Sequence, residues 1–131
     1  MIFPALDLVC DDGVVMLDIQ ARLDAEDLCI SNMPRWRQLL GDVARLRCGW
    51  RPEASDLQKA PRLDRWSIIE NDDFGLVRLR GVVTGHACLP DRRAVITSPL
   101  VAVDTRKQSW ARTVSRLYVL QAAEEKPDLE S

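Results

Sequence analysis

The chain has 131 residues, of which 47% are hydrophobic and 29% charged, and its formal net charge is −2. That length predicts a single domain whose core is large enough to stand without staples. No run of 18 apolar residues occurs, which excludes an ordinary membrane-spanning helix, and the apolar start "MIFPALDLVCDDGVVM" carries Asp7, Asp11 and Asp12 without a basic flank, which argues against a secretory signal.

The small net charge hides segregation. Residues 1–27 hold seven acids and one base, residues 74–118 hold eight bases and two acids, and acids dominate again from Glu124 onward. Two readings stand: pairing of an acidic N-terminus with a basic body inside the chain, or a basic surface for an anionic partner. The four cysteines, Cys10, Cys29, Cys48 and Cys88, show no C-x-x-C spacing. Reduced thiols and a cytoplasmic location are expected.

In chain order, residues 14–30 read as a first helix, with apolar residues at 16, 19 and 23. "SNMPRWRQLLGDVARLRCGW" is the strongest helix signal. Ser31 or Asn32 can cap it, Pro34 suits its first turn, and Trp36, Leu39, Leu40, Val43 and Leu46 recur at helical spacing. Gly49 and Pro52 stop it. Residues 51–65 form a connector with a short helical turn possible at 53–59. From Trp66 the period changes to two. "WSIIE" is a strand, and "LVRLRGVVTGH" is another, with Val77, Leu79, Gly81 and Val83 on one face. "AVITSPLVAV" follows the "LPDRR" turn as a third, and its Pro99 predicts an edge or a bulge. "WARTVSRLYVL" fits a helix or a strand; the strands before it favour a strand.

The expected fold is therefore α+β: two N-terminal helices packed on a four-stranded antiparallel β-meander. Its parts would be one domain over 1–121, with a helical part at 14–50, a connector at 51–65 and a sheet at 66–120. An acidic disordered tail would occupy 122–131.

Residues 63–120 carry Gly85, His86, Leu89, Asp91, then Thr97, Ser98, Pro99, Leu100, then Trp110, Ala111, Arg112, Thr113, Ser115, Arg116 and Tyr118. This pattern resembles a family of small uncharacterised bacterial proteins, a domain of unknown function. The family tends to place Gly where this chain has Arg92. The resemblance implies a shared fold and no particular chemistry.

Three kinds of site compete. His86 and Cys88, at i and i+2, could approach one metal ion, with Asp91 adding an oxygen. A structural zinc wants four ligands, and the other cysteines stand alone. The same pair makes a poor nucleophilic dyad, because strand neighbours two apart lie about 6–7 Å from each other. His86 is expected to pin a hairpin instead. No phosphate-binding glycine loop occurs, so no cofactor is expected. The basic residues form the third kind. Arg78 and Arg80 lie on one strand, Arg112 and Arg116 on another element, and Arg92, Arg93, Arg106 and Lys107 at two turns. Guanidinium forks suit carboxylate or phosphate. Trp50, after the helix stop, could serve as a contact. The leading expectation is a small non-catalytic interaction protein of bacterial or mobile-element origin, an inhibitor of a larger host complex such as a defence nuclease assembly. A nucleic-acid-binding regulator using the same arginines is the alternative, and an enzyme or metal site centred on His86 is the third.

Overall fold

The computed structural model describes residues 6–17, 33–70 and 77–124. They form β1 (Leu6–Val9), β2 (Val14–Leu17), α1 (Met33–Arg47), α2 (Ala54–Lys59), β3 (Arg62–Glu70), β4 (Val77–Thr84), β5 (Arg93–Ile96), β6 (Leu100–Asp104), β7 (Trp110–Thr113) and β8 (Leu117–Leu120). All eight strands belong to one sheet, in the order β1-β2-β6-β7-β8-β3-β4-β5.

This corrects the expected two helices on a four-stranded antiparallel meander. Residues 14–17 are not the start of a helix. They are β2, fully buried, paired with β1 through a tight turn at Cys10–Gly13 and with β6 on the other side. Residues 18–32, which held the rest of the expected first helix and the caps Ser31 and Asn32, lie outside the described residues. The strand expected to begin at Trp66 begins at Arg62, and the single strands expected across Pro99 and across Ser115 are each two, β5 with β6 and β7 with β8.

One pairing is parallel, β3 with β8, and chain geometry explains it. In a flat sheet of this order β5 and β6 would be five strand spacings apart, roughly 24 Å. Only Thr97, Ser98 and Pro99 join them, and so short a link spans at most about 14 Å. The sheet must therefore curl until β5 and β6 become two halves of one bent strand. Hydrogen bonds from the link bear this out. Thr97 N–H donates to Leu79 O at 2.8 Å and Thr97 Oγ1 accepts from Leu79 N–H at 3.1 Å. On the other side, Pro99 O accepts from Val114 N–H at 2.9 Å and Ser98 Oγ from Ser115 N–H at 3.1 Å. The result is a ring of five members, β3, β4, β5–β6, β7 and β8. Each runs antiparallel to the next, so with an odd number the last must run parallel to the first.

The ring encloses the main core. β4 alternates as its sequence predicts, with Val77, Leu79, Gly81 and Val83 buried. They pack with Leu63, Trp66, Val101, Val103, Tyr118 and Leu120. All five residues of β6 are buried, because its other face is covered too. There Ala102 and Trp110 pack with Val14, Met16 and Leu46 of α1. On α1 the inward positions are Leu39, Asp42 and Leu46, while Leu40 is exposed. At 100° per residue, Leu40 lies well off the stripe through 39, 42, 43 and 46, so a carboxylate takes the buried place that leucine was expected to fill.

The N-terminal hairpin turn is tied to the rest of the chain by two arginines. Asp12, in the β1–β2 turn, accepts from Arg51 Nε at 2.7 Å and Nη2 at 3.2 Å. Arg106 Nη2 donates to Asp11 O at 2.5 Å. The Arg51 hydrogen bond holds the Asp12 carboxyl below its ordinary range, outweighing the small effect of burial. A lowered folded-state value means that the contact stabilises above the unfolded carboxylate's titration and is lost as pH falls through the folded one. Because the pair is exposed, Asp12→Asn should cost under about 1 kcal/mol at pH 7. Its deficit should shrink as pH falls from 7 to below the lowered folded-state value, where the parent carboxyl is neutral too. Urea melts at the two pH values check this.

Candidate interaction groove

A groove of about 310 Å³ lies between α1, α2 and the turn joining β7 to β8. Its floor is an ion pair. Arg112 is 3% exposed and donates from Nε to Asp42 Oδ2 at 2.9 Å. Its Nη1 donates to the carbonyls of Thr113 and Val114. Burial lowers the affinity of this guanidinium for its proton, and the charge of Asp42 opposes the shift. It remains a cation at any working pH. The other Asp42 oxygen accepts from Arg45, whose guanidinium also lies over the Trp50 ring at 4.2 Å. Such stacking suits a planar cation on indole.

Local sequence explains this placement. α1 ends in a hydrogen-bonded turn in which Gly49 takes φ +100° and Trp50 N–H donates to Arg45 O at 2.9 Å. The turn folds Trp50 back beside the last turn of the helix. Arg51 then ties the loop to Asp12. Glu53 and Asp56 cap α2 reciprocally, and α2 presents Lys59 to the groove. Thr113 N–H and Oγ1 donate to Arg116 O, at 2.9 and 3.1 Å, which tightens the β7–β8 turn and sets Ser115 and Arg116 on the rim.

Four cations (Arg45, Lys59, Arg112 and Arg116) face two acids, Asp42 and Asp56. Both acids are already engaged. Asp42 serves Arg45 and Arg112, and Asp56 Oδ2 accepts from Glu53 N–H at 3.0 Å. Trp50 and Leu117 give the groove apolar wall; Gln38 and Ser115 give it neutral hydrogen-bonding groups. The arrangement can hold an anionic group at the rim and bury an apolar one beside it.

The structure brings together only three of the residues singled out from sequence, Trp50, Arg112 and Arg116. Trp50 is half-buried, and Arg112 is in the core, not on the surface. Arg78 is half-buried and donates to Thr97 O at 3.3 Å. Arg80 is exposed and meets Glu124 at 3.5 Å. Arg92 and Arg93 are exposed at the start of β5, and Arg92 takes φ +62°, the left-handed conformation that glycine adopts most readily. Arg106 and Lys107 are exposed in the β6–β7 turn, where both backbone N–H groups donate to Asp104 Oδ1. Lys59, Arg45 and Gln38 were not picked out by sequence; only the turn at Gly49 and the basic end of α1 hinted at them.

His86 meets the backbone of Cys88. Its Nδ1 accepts from Cys88 N–H at 2.9 Å, and its ring lies 6.5 Å from that of Tyr118. Asp91 Oδ1 accepts from Gly85 N–H at 2.9 Å. These contacts shape the loop between β4 and β5. Among the described residues no group of three or more His, Cys, Asp or Glu could hold a metal ion, and no helix is long and apolar enough to cross a membrane.

A closed five-membered sheet ring, flanked by a hairpin and a helix, with a cationic groove where helix meets ring, defines a small α+β domain with an exposed, charged recess. The chain belongs to DUF6634, a family of unknown function, which it matches over residues 32–130. The match takes in every groove residue. Neither the curated proteins nor the solved structures provide a match.

Proposed function

We propose that this chain is a small, non-catalytic interaction module of the cytoplasm, and that the groove between α1, α2 and the β7–β8 turn takes an acidic segment of a partner protein. One observation carries the reading: among the described residues, Lys59 and Arg116 stand on the rim without an ion pair or side-chain hydrogen bond, above a guanidinium that is already neutralised. Rim cations lining the same groove as an indole suit a segment that alternates carboxylate and apolar side chains. Inhibition of a larger host assembly is the form of action that suits a domain with a contact surface and, among the described residues, no convergent catalytic cluster.

Nucleic acid is the second reading, and the scatter of the arginines speaks against it. Arg78, Arg80, Arg92, Arg93, Arg106 and Lys107 lie outside the groove, and Arg80 and Arg106 already meet acidic or carbonyl oxygens. A phosphate-tracking surface needs its cations in one stripe.

The test is a photo-crosslinking side chain placed at Gln38, with Gln108 on the β6–β7 turn as control, in cells expressing the chain. A single protein should be captured from Gln38 and not from Gln108. Its purified form should bind at least ten times more weakly to Lys59→Ala/Arg116→Ala. Capture of nucleic acid alone, or binding untouched by the double change, would overturn the proposal.

A further inference from the structure

A second recess, about 630 Å³, lies on the outer face of β3, β4 and β5 and shares no residue with the groove. Its geometry comes from a bulge. Along β3, Leu63 faces in and Asp64 out, so strict alternation would turn Arg65 inward. The register with β4 instead shifts between Asp64 and Ser67. Arg65 takes φ +52° and is exposed, while Trp66 takes the buried position. Bulges re-aim side chains in this way, and a non-glycine residue in the left-handed region carries strain. Here the strain sets Arg65 beside Arg80 of β4 in one recess, with Ala94, Ala122 and Ala123 as small residues around them.

Two internal carboxylates, Asp64 and Glu124, line this place, and Glu124 reaches Arg80. Glu124 Oε2 lies 3.5 Å from Arg80 Nη2, with both side chains about half exposed (55% and 44%). That is the outer limit of contact, and such pairs are weak. Among the described residues the Arg65 side chain makes no hydrogen bond or ion pair. Two guanidinium groups thus face Asp64 and one loosely held carboxylate, that of Glu124.

We infer that this recess is a binding site for a carboxylate of an acidic peptide, gripped between Arg65 and Arg80, and that Glu124 is the internal occupant the peptide displaces. Removing Glu124 from the recess leaves two cations against Asp64 alone, which favours an incoming anion. The inference stands apart from the groove reading, since neither site lends the other a residue.

The experiment uses the full chain and a blocked tetraglutamate peptide, with inorganic phosphate as a parallel probe, read by the Nε–H signals of arginine in a nuclear magnetic resonance titration. The peptide should move the signals of Arg65 and Arg80. Glu124→Gln should raise its affinity at least threefold. Arg65→Gly, whose backbone suits φ +52°, should melt no lower than the parent and lose the peptide response. Unmoved signals, a response to phosphate alone, or an Arg65→Gly protein that still binds would each overturn the site. Lys59→Ala/Arg116→Ala should leave this titration unchanged, which separates it from the groove.

Discussion

Arg112→Ala will destabilise the protein by about 3–5 kcal/mol, the usual cost of stripping one partner from a buried ion pair. The loss has three parts. Asp42, only 9% exposed, keeps Arg45, but Arg45 is itself exposed and holds it poorly. The carbonyls of Thr113 and Val114 lose their donor. A cavity opens between α1 and β7. Asp42→Asn should cost less than Arg112→Ala, since the amide oxygen can still accept from Arg112 Nε. The informative variant is Asp42→Leu/Arg112→Met. Replacing both charges with apolar groups of similar volume should recover most of the stability, as measured by urea unfolding with an unchanged slope. Recovery would show that the pair is retained for the groove above it. A double variant as unstable as Arg112→Ala would show that the fold itself needs the charges.

Gly81→Ala should cost about 1–3 kcal/mol, the range for forcing a methyl group into a filled site. Gly81 faces the core at the β3 bulge. A Cβ there would lie 2.8 Å from Leu63 Cγ and 2.9 Å from Asp64 O. The second neighbour is backbone and part of the bulge, so it cannot step aside without unsettling Arg65 and Trp66. Gly41 provides the control, because a Cβ on it meets nothing within 4 Å. It sits exposed within α1, so Gly41→Ala should stabilise by about 0.5–1 kcal/mol. Equal effects at the two glycines would contradict the packing described for the bulge.

Legibility in the sequence followed the range of the interaction involved. α1, its stop at Gly49, the alternation of β4 and the break at Pro99 all rest on local chemistry, and local chemistry is written along the chain. β2 was misread because "VVML" is buried on both faces, and a short, wholly apolar run carries no period to separate strand from helix. The Asp12-Gly13 pair between "LDLV" and "VVML" was the available cue for a hairpin. Gly13 takes φ +89° there, and a Cβ on it would meet Arg106 Cβ at 2.6 Å. The ring closure was not readable, since β3 and β8 meet across more than fifty residues. It follows only once the three-residue link after β5 is set against the strand order. Arg112 was misplaced for a related reason. Alternation assigns a side chain to a face, but both faces of β7 are covered, and nothing near Arg112 in sequence announces that Asp42 waits opposite. The groove therefore lay hidden among residues from three separate stretches.

The central claim, that this groove is where the domain meets its partner, is tested most directly by titrating the captured protein into the isotope-labelled chain. The Nε–H signal of Arg116 and the indole N–H of Trp50 should move together. They should saturate at one equivalent, with Arg92, Arg93 and Arg106 still. Movement confined to those outer arginines, with Arg116 and Trp50 undisturbed, would contradict it.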